Sequence, residues 1–256
     1  MSIPNVHLAH FKRYLWSGPS LLVVLGESRP LLDGLLAYNA RYEIPLPSPA
    51  EERHLRAMLG ACGTAALSLA ERESWGWSLA LPDGRGCFVG VEPEGMMVIH
   101  PKANPEHHAQ AVVQRQKPQA ALTQSYFSPK SADPLRVVEH YFDQVQQTAT
   151  RLAENETGRI ALITALPNGS LGSLSALADE ALVAELSLLA ERGGLQELGE
   201  VLLFYECRCD DAMILDMLAS LPEAQRKEVW GEERTLSIEC PRCGRLYTVE
   251  RKNVVI

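Results

Sequence analysis

The chain has 256 residues, of which 46% are hydrophobic and 22% are charged, a composition that excludes a disordered or fibrous protein. Its 24 Lys and Arg residues against 32 Asp and Glu residues give a formal net charge of −8. Because this field repels phosphate backbones, we expect no nucleic-acid partner. The apolar run Leu21–Leu25 is too short to span a bilayer and carries no cleavage site for secretion, so we expect a cytoplasmic protein without membrane attachment.

The first part of the chain predicts a strand followed by two helices. Leu21–Leu25 has the pattern of a buried strand, and the leucines after Pro30 recur at helical spacing. A proline-rich turn then ends that helix. Ser48 suits the N-cap of a second helix, with Glu51 in its first turn, and we expect this helix to reach about Ala70.

Short alternating segments from Trp75 to about Phe127 predict antiparallel hairpins. The turn signals Pro82-Asp83-Gly84 and Glu94-Gly95 separate them. Because Trp75 and Trp77 alternate along one strand, we expect only one of the two indoles to lie in the core, leaving the other for a surface that binds a partner or a second copy of the chain.

The middle of the chain predicts a helix, a strand and a long helical connector. Apolar residues at helical spacing indicate a helix over Leu135–Arg151, and Ile160–Leu166 has the pattern of a buried strand. The leucine-rich stretch Leu174–Leu198 predicts a helix interrupted at Gly193-Gly194. We therefore predict an α+β fold: a mixed helix and antiparallel-sheet domain at residues 1–169, a helical linker at 170–200, and a small metal-binding domain at 201–256.

Six cysteines are distributed unevenly along the chain. Cys62 and Cys87 stand alone in the first half, where we interpret them as small buried core residues. The other four form two hooks near the C-terminus, Cys207-Arg208-Cys209 and Cys240-Pro241-Arg242-Cys243. In a cytosolic chain such cysteines are more often thiols or metal ligands than structural disulfides.

The two hooks predict a zinc site with the ligands Cys207, Cys209, Cys240 and Cys243. Tetrahedral Zn²⁺ accepts four thiolates, two from each hook. Two alternatives remain open at this point: four unrelated buried cysteines, or a metal-free redox motif of the thioredoxin type at Cys240–Cys243. The 56 residues from Val201 onward are too few for a stable core, so bound metal should contribute on the order of 10 kcal/mol to their folding.

Several motifs together resemble a known family. The two hooks, the segment Leu215–Pro222 between them and Tyr247 after them resemble the C-terminal zinc domain of the 33 kDa chaperonins, the redox-regulated holdase chaperones of bacteria. Upstream, His140-Tyr141-Phe142 and Thr150-Arg151-Leu152 resemble a helix-and-strand segment of the same family.

This resemblance implies a stress-response chaperone that binds unfolding client proteins without ATP. One Zn²⁺ per chain would hold the reduced form inactive. Oxidation would join Cys207 to Cys209 and Cys240 to Cys243, release the zinc, and unfold the zinc domain and the linker. The active, oxidised form would then be a homodimer.

Two other functions compete with this interpretation. A zinc-ribbon protein that binds nucleic acid fits Cys240–Arg245 locally, but residues 200–256 carry eight basic and eleven acidic side chains, a net charge of −3. A thiol–disulfide oxidoreductase would turn over client disulfides. We find no catalytic triad, phosphate-binding glycine loop or carboxylate pair in the sequence, and we therefore expect a protein that is not an enzyme.

Overall fold

The computed structural model describes residues 7–69, 73–106 and 108–254. Helices and strands are mixed throughout this part of the chain, which confirms the α+β class. The strands are β1 (Leu8–Trp16), β2 (Leu21–Glu27), β3 (Ser74–Ala80), β4 (Arg85–Val91), β5 (Met96–Ala103), β6 (Gln110–Gln116), β7 (Thr123–Phe127), β8 (Thr150–Glu154), β9 (Arg159–Ala165), β10 (Gln196–Tyr205), β11 (Thr235–Glu239) and β12 (Leu246–Glu250). The α-helices are α1 (Arg29–Arg41), α2 (Pro49–Leu67), α3 (Pro134–Tyr141), α4 (Asp179–Glu191), α5 (Asp211–Ser220) and α6 (Glu223–Trp230).

Within the described ranges, β1 to β10 form one sheet in the order β7-β6-β3-β4-β5-β10-β1-β2-β9-β8. Neighbouring strands are antiparallel except β5 and β10, which pair in parallel at Phe204 with Met96 and at Tyr205 with Met97. Strands β11 and β12 form a separate hairpin. The predicted antiparallel hairpins between Trp75 and Phe127 are thus confirmed as one half of the large sheet.

Both faces of the sheet are covered, but by different helices. Along β2, Val24 belongs to the main core with helices α1, α2 and α3, whereas its neighbour Val23 belongs to a second apolar cluster. That second cluster lies under α4, which contributes Leu182 and Leu186 to it. Since successive side chains of a strand point to opposite faces, α4 covers the face opposite to the main core.

Helix α2 begins as the sequence predicts. Ser48 is its N-cap: the backbone N–H of Glu51 donates to Ser48 Oγ at 3.4 Å, and the Ser48 N–H donates to Glu51 Oε2 at 2.7 Å. The helix ends at Leu67, and its expected end near Ala70 lies outside the described residues. None of the described helices combines the length and the hydrophobicity that a membrane crossing requires.

The expectation that only one of Trp75 and Trp77 lies in the core is wrong. Both indoles are buried and stacked, with ring centroids 5.7 Å apart. The reason is the period of a strand, because residues two apart point to the same face. Tyr141 packs edge-on against both rings.

The helix predicted over Leu135–Arg151 is shorter than expected. Helix α3 ends at Tyr141, a π-helical turn follows at Phe142–Gln146, and Gln147 adopts a left-handed backbone with φ of 52°. Thr150–Glu154 then pairs with β9 as strand β8. Pairing with the sheet therefore overrides the helical spacing of the apolar residues beyond Phe142.

The predicted connector helix over Leu174–Leu198 is also only partly correct. A 3-10 turn at Gly172–Ala176 precedes α4, and the chain then enters β10 at Gln196. Strand β10 lies between β5 and β1 and runs through residue 200, the predicted end of the linker. Its buried residues alternate (Val201, Leu203 and Tyr205), which favours a strand over a helix. The division into three domains stays a prediction.

Candidate metal centre

The first hook connects the large sheet to helix α5. Tyr205 is the last residue of β10, and Cys207 follows two positions later. Asp210, directly after Cys209, is the N-cap of α5 and accepts a hydrogen bond from the Met213 N–H at 2.8 Å. The hook is therefore fixed at both ends, by a strand of the sheet and by a capped helix.

The second hook is the turn of the β11–β12 hairpin. The N–H of Cys240 donates to the Arg245 carbonyl at 2.8 Å, and the N–H of Gly244 donates to the Cys240 carbonyl at 2.9 Å. Gly244 has φ of +79°, a left-handed conformation that favours glycine. A Cβ atom there would also lie 2.7 Å from Nδ1 of His100, so both the turn and its close approach to β5 require glycine.

The four hook cysteines meet at one point. The Sγ atoms of Cys207, Cys209, Cys240 and Cys243 all lie within 4.8 Å of one another, and each cysteine is at most 7% exposed. In a zinc tetrathiolate with Zn–S bonds of about 2.3 Å, the sulfur atoms stand about 3.8 Å apart. The side chains therefore fit a four-coordinate metal of the zinc type. Four unrelated cysteines would not converge in this way.

Hydrogen bonds within the cluster separate its four sulfurs into two that favour the thiolate and two that favour the thiol. The thiol of Cys207 lowers the pKa of both Cys209 and Cys240, because it donates to their Sγ atoms. Sγ of Cys209 also lies 3.4 Å from Sγ of Cys243. Since thiolates are the species that bind metals, Cys209 and Cys240 are the members of the cluster already suited to this role. Hydrogen bonds to these two sulfurs raise the pKa of Cys207 and Cys243.

Two buried tyrosines donate hydrogen bonds to the cluster. The hydroxyl of Tyr38, on α1, donates to Cys243 Sγ at 3.4 Å, and that of Tyr247, on β12, donates to Cys209 Sγ at 3.0 Å. Tyr247 is part of the family pattern in the sequence. Tyr38 gives no comparable signal, because it precedes the first hook by more than 160 residues and only the fold brings it close.

The arginines of the hooks make other contacts than the sequence suggests. The basic residues beside the cysteines predict electrostatic support for thiolates, but Arg208 and Arg242 both pair with Glu92, which directly follows β4. The guanidinium of Arg245 lies over the rings of Tyr42 and Tyr247, at 4.0 and 4.5 Å from their centroids. These groups tie the hooks to their surroundings.

Cys62 and Cys87 are not members of the metal-ligand cluster, although they are buried in the same main core as the four hook cysteines. Burial raises the pKa of Cys87 to about 12 and that of Cys62 well above its ordinary value. Both remain thiols at neutral pH, which confirms their interpretation as core residues. Of the histidines near β5, His100 pairs with Glu239 at 3.0 Å, His108 is exposed, and His107 lies outside the described residues.

Comparisons with known proteins agree with this geometry. A sequence model described as "Hsp33 protein" matches residues 108–250, which is more than half of the chain. No curated protein matches. Among solved structures, a 33 kDa chaperonin (heat shock protein 33 homolog) from Thermotoga maritima has a similar fold, with a TM-score of 0.70 and 13% identity. The match covers 97% of this chain and 96% of the other. The chain therefore belongs to the Hsp33 family of chaperones.

Proposed function

We propose that this chaperone is an ATP-independent holdase that oxidation activates. In the reduced form, Cys207, Cys209, Cys240 and Cys243 bind one Zn²⁺ and the protein is inactive. The convergence of four buried Sγ atoms from two short hooks is the observation that supports this proposal most strongly. A site so buried is suited to a structural metal, and removal of the metal would destabilise everything around it.

The part of the chain from the first hook onward, residues 207–254, is called the C-terminal unit. It depends on the metal because its own core is small. Helix α5 buries only Ile214 and Leu218, and α6 buries only Trp230. Three residues with large apolar side chains remain exposed on these helices (Met213, Met217 and Val229). Metal release would therefore leave a unit that cannot fold alone, and its unfolding would expose further apolar surface.

Oxidation would act on the hooks. Two thiolates of one hook lose two electrons and form a disulfide, and one hydrogen peroxide molecule accepts these electrons, takes up two protons from the solvent and leaves as two water molecules. We propose the pairs Cys207–Cys209 and Cys240–Cys243, with release of the zinc. Each chain is switched once and is not turned over, so this thiol chemistry is regulatory and not enzymatic.

Helix α4 is the part of the linker whose release would create a client surface. Its apolar residues Leu182, Val183 and Leu186 cover a cluster on the sheet that includes Val23 and Ile163. Because this cluster is separate from the main core, α4 can leave without disrupting the core. We propose that unfolding proteins bind the surface uncovered in this way, and that the oxidised protein is a homodimer.

The nucleic-acid alternative gains no support from the contacts of the hooks. Arg208 and Arg242 both pair with Glu92, and Arg245 lies over the rings of Tyr42 and Tyr247, so these groups are engaged within the protein. Salt-dependent binding of DNA or RNA at micromolar protein concentration would nevertheless overturn our proposal.

An aggregation assay without ATP tests the function. The reduced protein and the protein treated with peroxide at elevated temperature are compared for suppression of citrate synthase aggregation, measured by light scattering. We expect suppression only after oxidation, together with dimerisation in size-exclusion chromatography. Equal suppression by both forms, or turnover of insulin disulfides at the rate of a thioredoxin control, would contradict the proposal.

A further inference from the structure

A buried carboxylate stands where the large sheet meets the hooks. Glu92 follows the last residue of β4, and its side chain is 6% exposed. Its N–H donates to the Met96 carbonyl at 2.8 Å and so closes the turn into β5. The hydroxyl of Ser74, on β3, donates to Glu92 Oε2 at 3.0 Å. The other carboxylate oxygen, Oε1, faces the C-terminal unit.

Both hooks reach this one oxygen atom. Arg208 is the residue between the two cysteines of the first hook, and its Nη2 lies 3.4 Å from Glu92 Oε1. Arg242 directly precedes the last cysteine of the second hook, and its Nη2 donates to the same Oε1. Burial by itself would raise the pKa of Glu92, but the two guanidinium groups, Arg242 more than Arg208, hold that pKa below its usual range.

The surface of β4 is shaped to receive Arg242. Phe88, Gly90 and Glu92 alternate along the chain and therefore point to the same side of the sheet. The guanidinium of Arg242 lies 6.0 Å from the ring centroid of Phe88. A Cβ atom on Gly90 would lie 2.9 Å from Val98 Cγ2 and 3.1 Å from Arg242 Nη2, so the guanidinium packs closely over a position of β4 that has no side chain.

We propose that Glu92 is the positioning residue that docks both hooks on the N-terminal sheet. It holds Arg208 and Arg242 only while each hook keeps the geometry in which its cysteines bind metal. This inference rests on the proposed function of the hooks as a redox switch, and it names the contact through which the state of the cysteines is transmitted to the sheet.

The Glu92 contact can transmit the state of the cysteines to the sheet because a buried charge without a partner is unfavourable. A disulfide brings two Sγ atoms to about 2.05 Å from each other, which requires the backbone of each hook to rearrange. The rearrangement displaces Arg208, which lies between the two cysteines of its hook, and Arg242, which lies next to Cys243. Glu92 would then be a buried carboxylate without its partners, a strongly unfavourable state. Undocking relieves this state because it gives Glu92 access to water. The same carboxylate thus stabilises docking before oxidation and opposes it afterwards.

The substitution Glu92→Gln tests this role in the full-length, reduced, zinc-loaded protein. Glu154→Gln is the matched control, since Glu154 is also 6% exposed and also pairs with an arginine, Arg56, but does so within the N-terminal unit. Hydrogen exchange of residues 207–250 measures docking without any oxidant. Release of zinc to a chromogenic chelator in the presence of peroxide measures the switch.

For Glu92→Gln we expect about tenfold faster exchange in residues 207–250 and about tenfold faster zinc release under peroxide, because a hydrogen bond to a charged group is lost. Zinc content before oxidation should stay at one per chain. The control should match the wild type in both measurements. Exchange and release rates equal to those of the wild type would overturn the inference, while a wild type that keeps its zinc under peroxide would contradict the proposed function instead.

A second variant keeps the test valid should Glu92→Gln fold poorly. The side chain of Arg208 is 58% exposed, so Arg208→Gln removes one partner of Glu92 without burying a new group. On its own this variant should accelerate exchange of residues 207–250 relative to the wild type, by less than Glu92→Gln where that variant folds, and a rate equal to that of the wild type would overturn the inference. In the double variant the two effects should not add, because both substitutions break the same contact. Additive effects would show that Arg208 and Glu92 act separately and would overturn the inference.

Discussion

The hydroxyl of Tyr38, on the first helix, donates a hydrogen bond to Sγ of Cys243, more than 200 residues later in the chain. Tyr247 donates in the same way to Sγ of Cys209. Each hook therefore has one cysteine whose sulfur accepts a phenolic hydrogen bond, and for the second hook the donor belongs to the N-terminal sheet-and-helix unit. Contacts of this kind orient metal ligands and adjust their basicity.

Tyr38→Phe should weaken metal binding without unfolding the protein. The ring keeps its packing against Tyr42 and Tyr205, and the variant loses the hydroxyl that lies 3.4 Å from Sγ of Cys243 and 4.0 Å from Sγ of Cys209. Loss of an outer-shell partner typically costs about 10- to 100-fold in metal affinity. Competition with a chelator of known affinity measures the change. Tyr205→Phe is the control, because its hydroxyl donates to the Ile99 carbonyl at 3.0 Å and not to a cysteine; equal losses in both variants would exclude a specific role for Tyr38.

Cys240→Ser should abolish stoichiometric zinc and leave the C-terminal unit sensitive to protease even in reducing buffer. The cause is the loss of one of four thiolates from a unit whose own core is too small to fold. Metal analysis and limited proteolysis provide the readouts, and Cys62→Ala, in the main core, is the control. An unchanged zinc content would remove Cys240 from the set of ligands.

Asp179→Asn should loosen helix α4. Asp179 is the first residue of that helix, and its carboxylate accepts hydrogen bonds from Arg136 at 3.0 and 3.1 Å and from Arg151 at 2.5 Å. Loss of this charge leaves two partly buried arginines with one acceptor fewer, at an expected local cost of about 1–3 kcal/mol. Hydrogen exchange of residues 179–191 should accelerate. Glu185→Gln, exposed on the same helix, should leave the exchange rate unchanged, and equal rates in both variants would refute the assignment.

Ser48→Ala should lower the free energy of unfolding by about 1 kcal/mol through loss of the N-cap of α2. The effect belongs to the N-terminal unit, so zinc content and oxidant sensitivity should not change. Urea unfolding measures the stability. A change in zinc release by this variant would mean that α2 contributes to the switch, contrary to our account.

The parts of the fold that the sequence predicts are those encoded by local signals. The capping box at Ser48 and Glu51, the hairpin turn at Gly95 and the two cysteine hooks each lie within a few residues of one another. Local signals fail where the sheet competes with a helix. Residues 150–154 and 196–205 are strands because they pair with β9 and β1, respectively. Strand β9 follows β8 after a short turn, whereas β1 lies far upstream of β10, and a count of apolar periodicity within one segment includes neither partner.

The residues of the metal site also fall into those that the sequence predicts and those that only the fold reveals. Its four cysteines follow from their spacing, and all four converge as expected. Glu92 and Tyr38, which hold the hooks against the N-terminal unit, stand among ordinary strand and helix residues in the sequence. Their role depends on which faces of β4 and α1 meet the C-terminal unit, and only the tertiary structure determines that.

The central claim is that oxidation of the hooks releases the metal and activates the chaperone. One preparation should be assayed for zinc, free thiols and suppression of citrate synthase aggregation, before and after peroxide treatment at elevated temperature. We predict the loss of one zinc per chain, the consumption of the thiols of Cys207, Cys209, Cys240 and Cys243, and suppression that appears only after treatment. Zinc retained through the treatment, with no gain in suppression, would contradict the account.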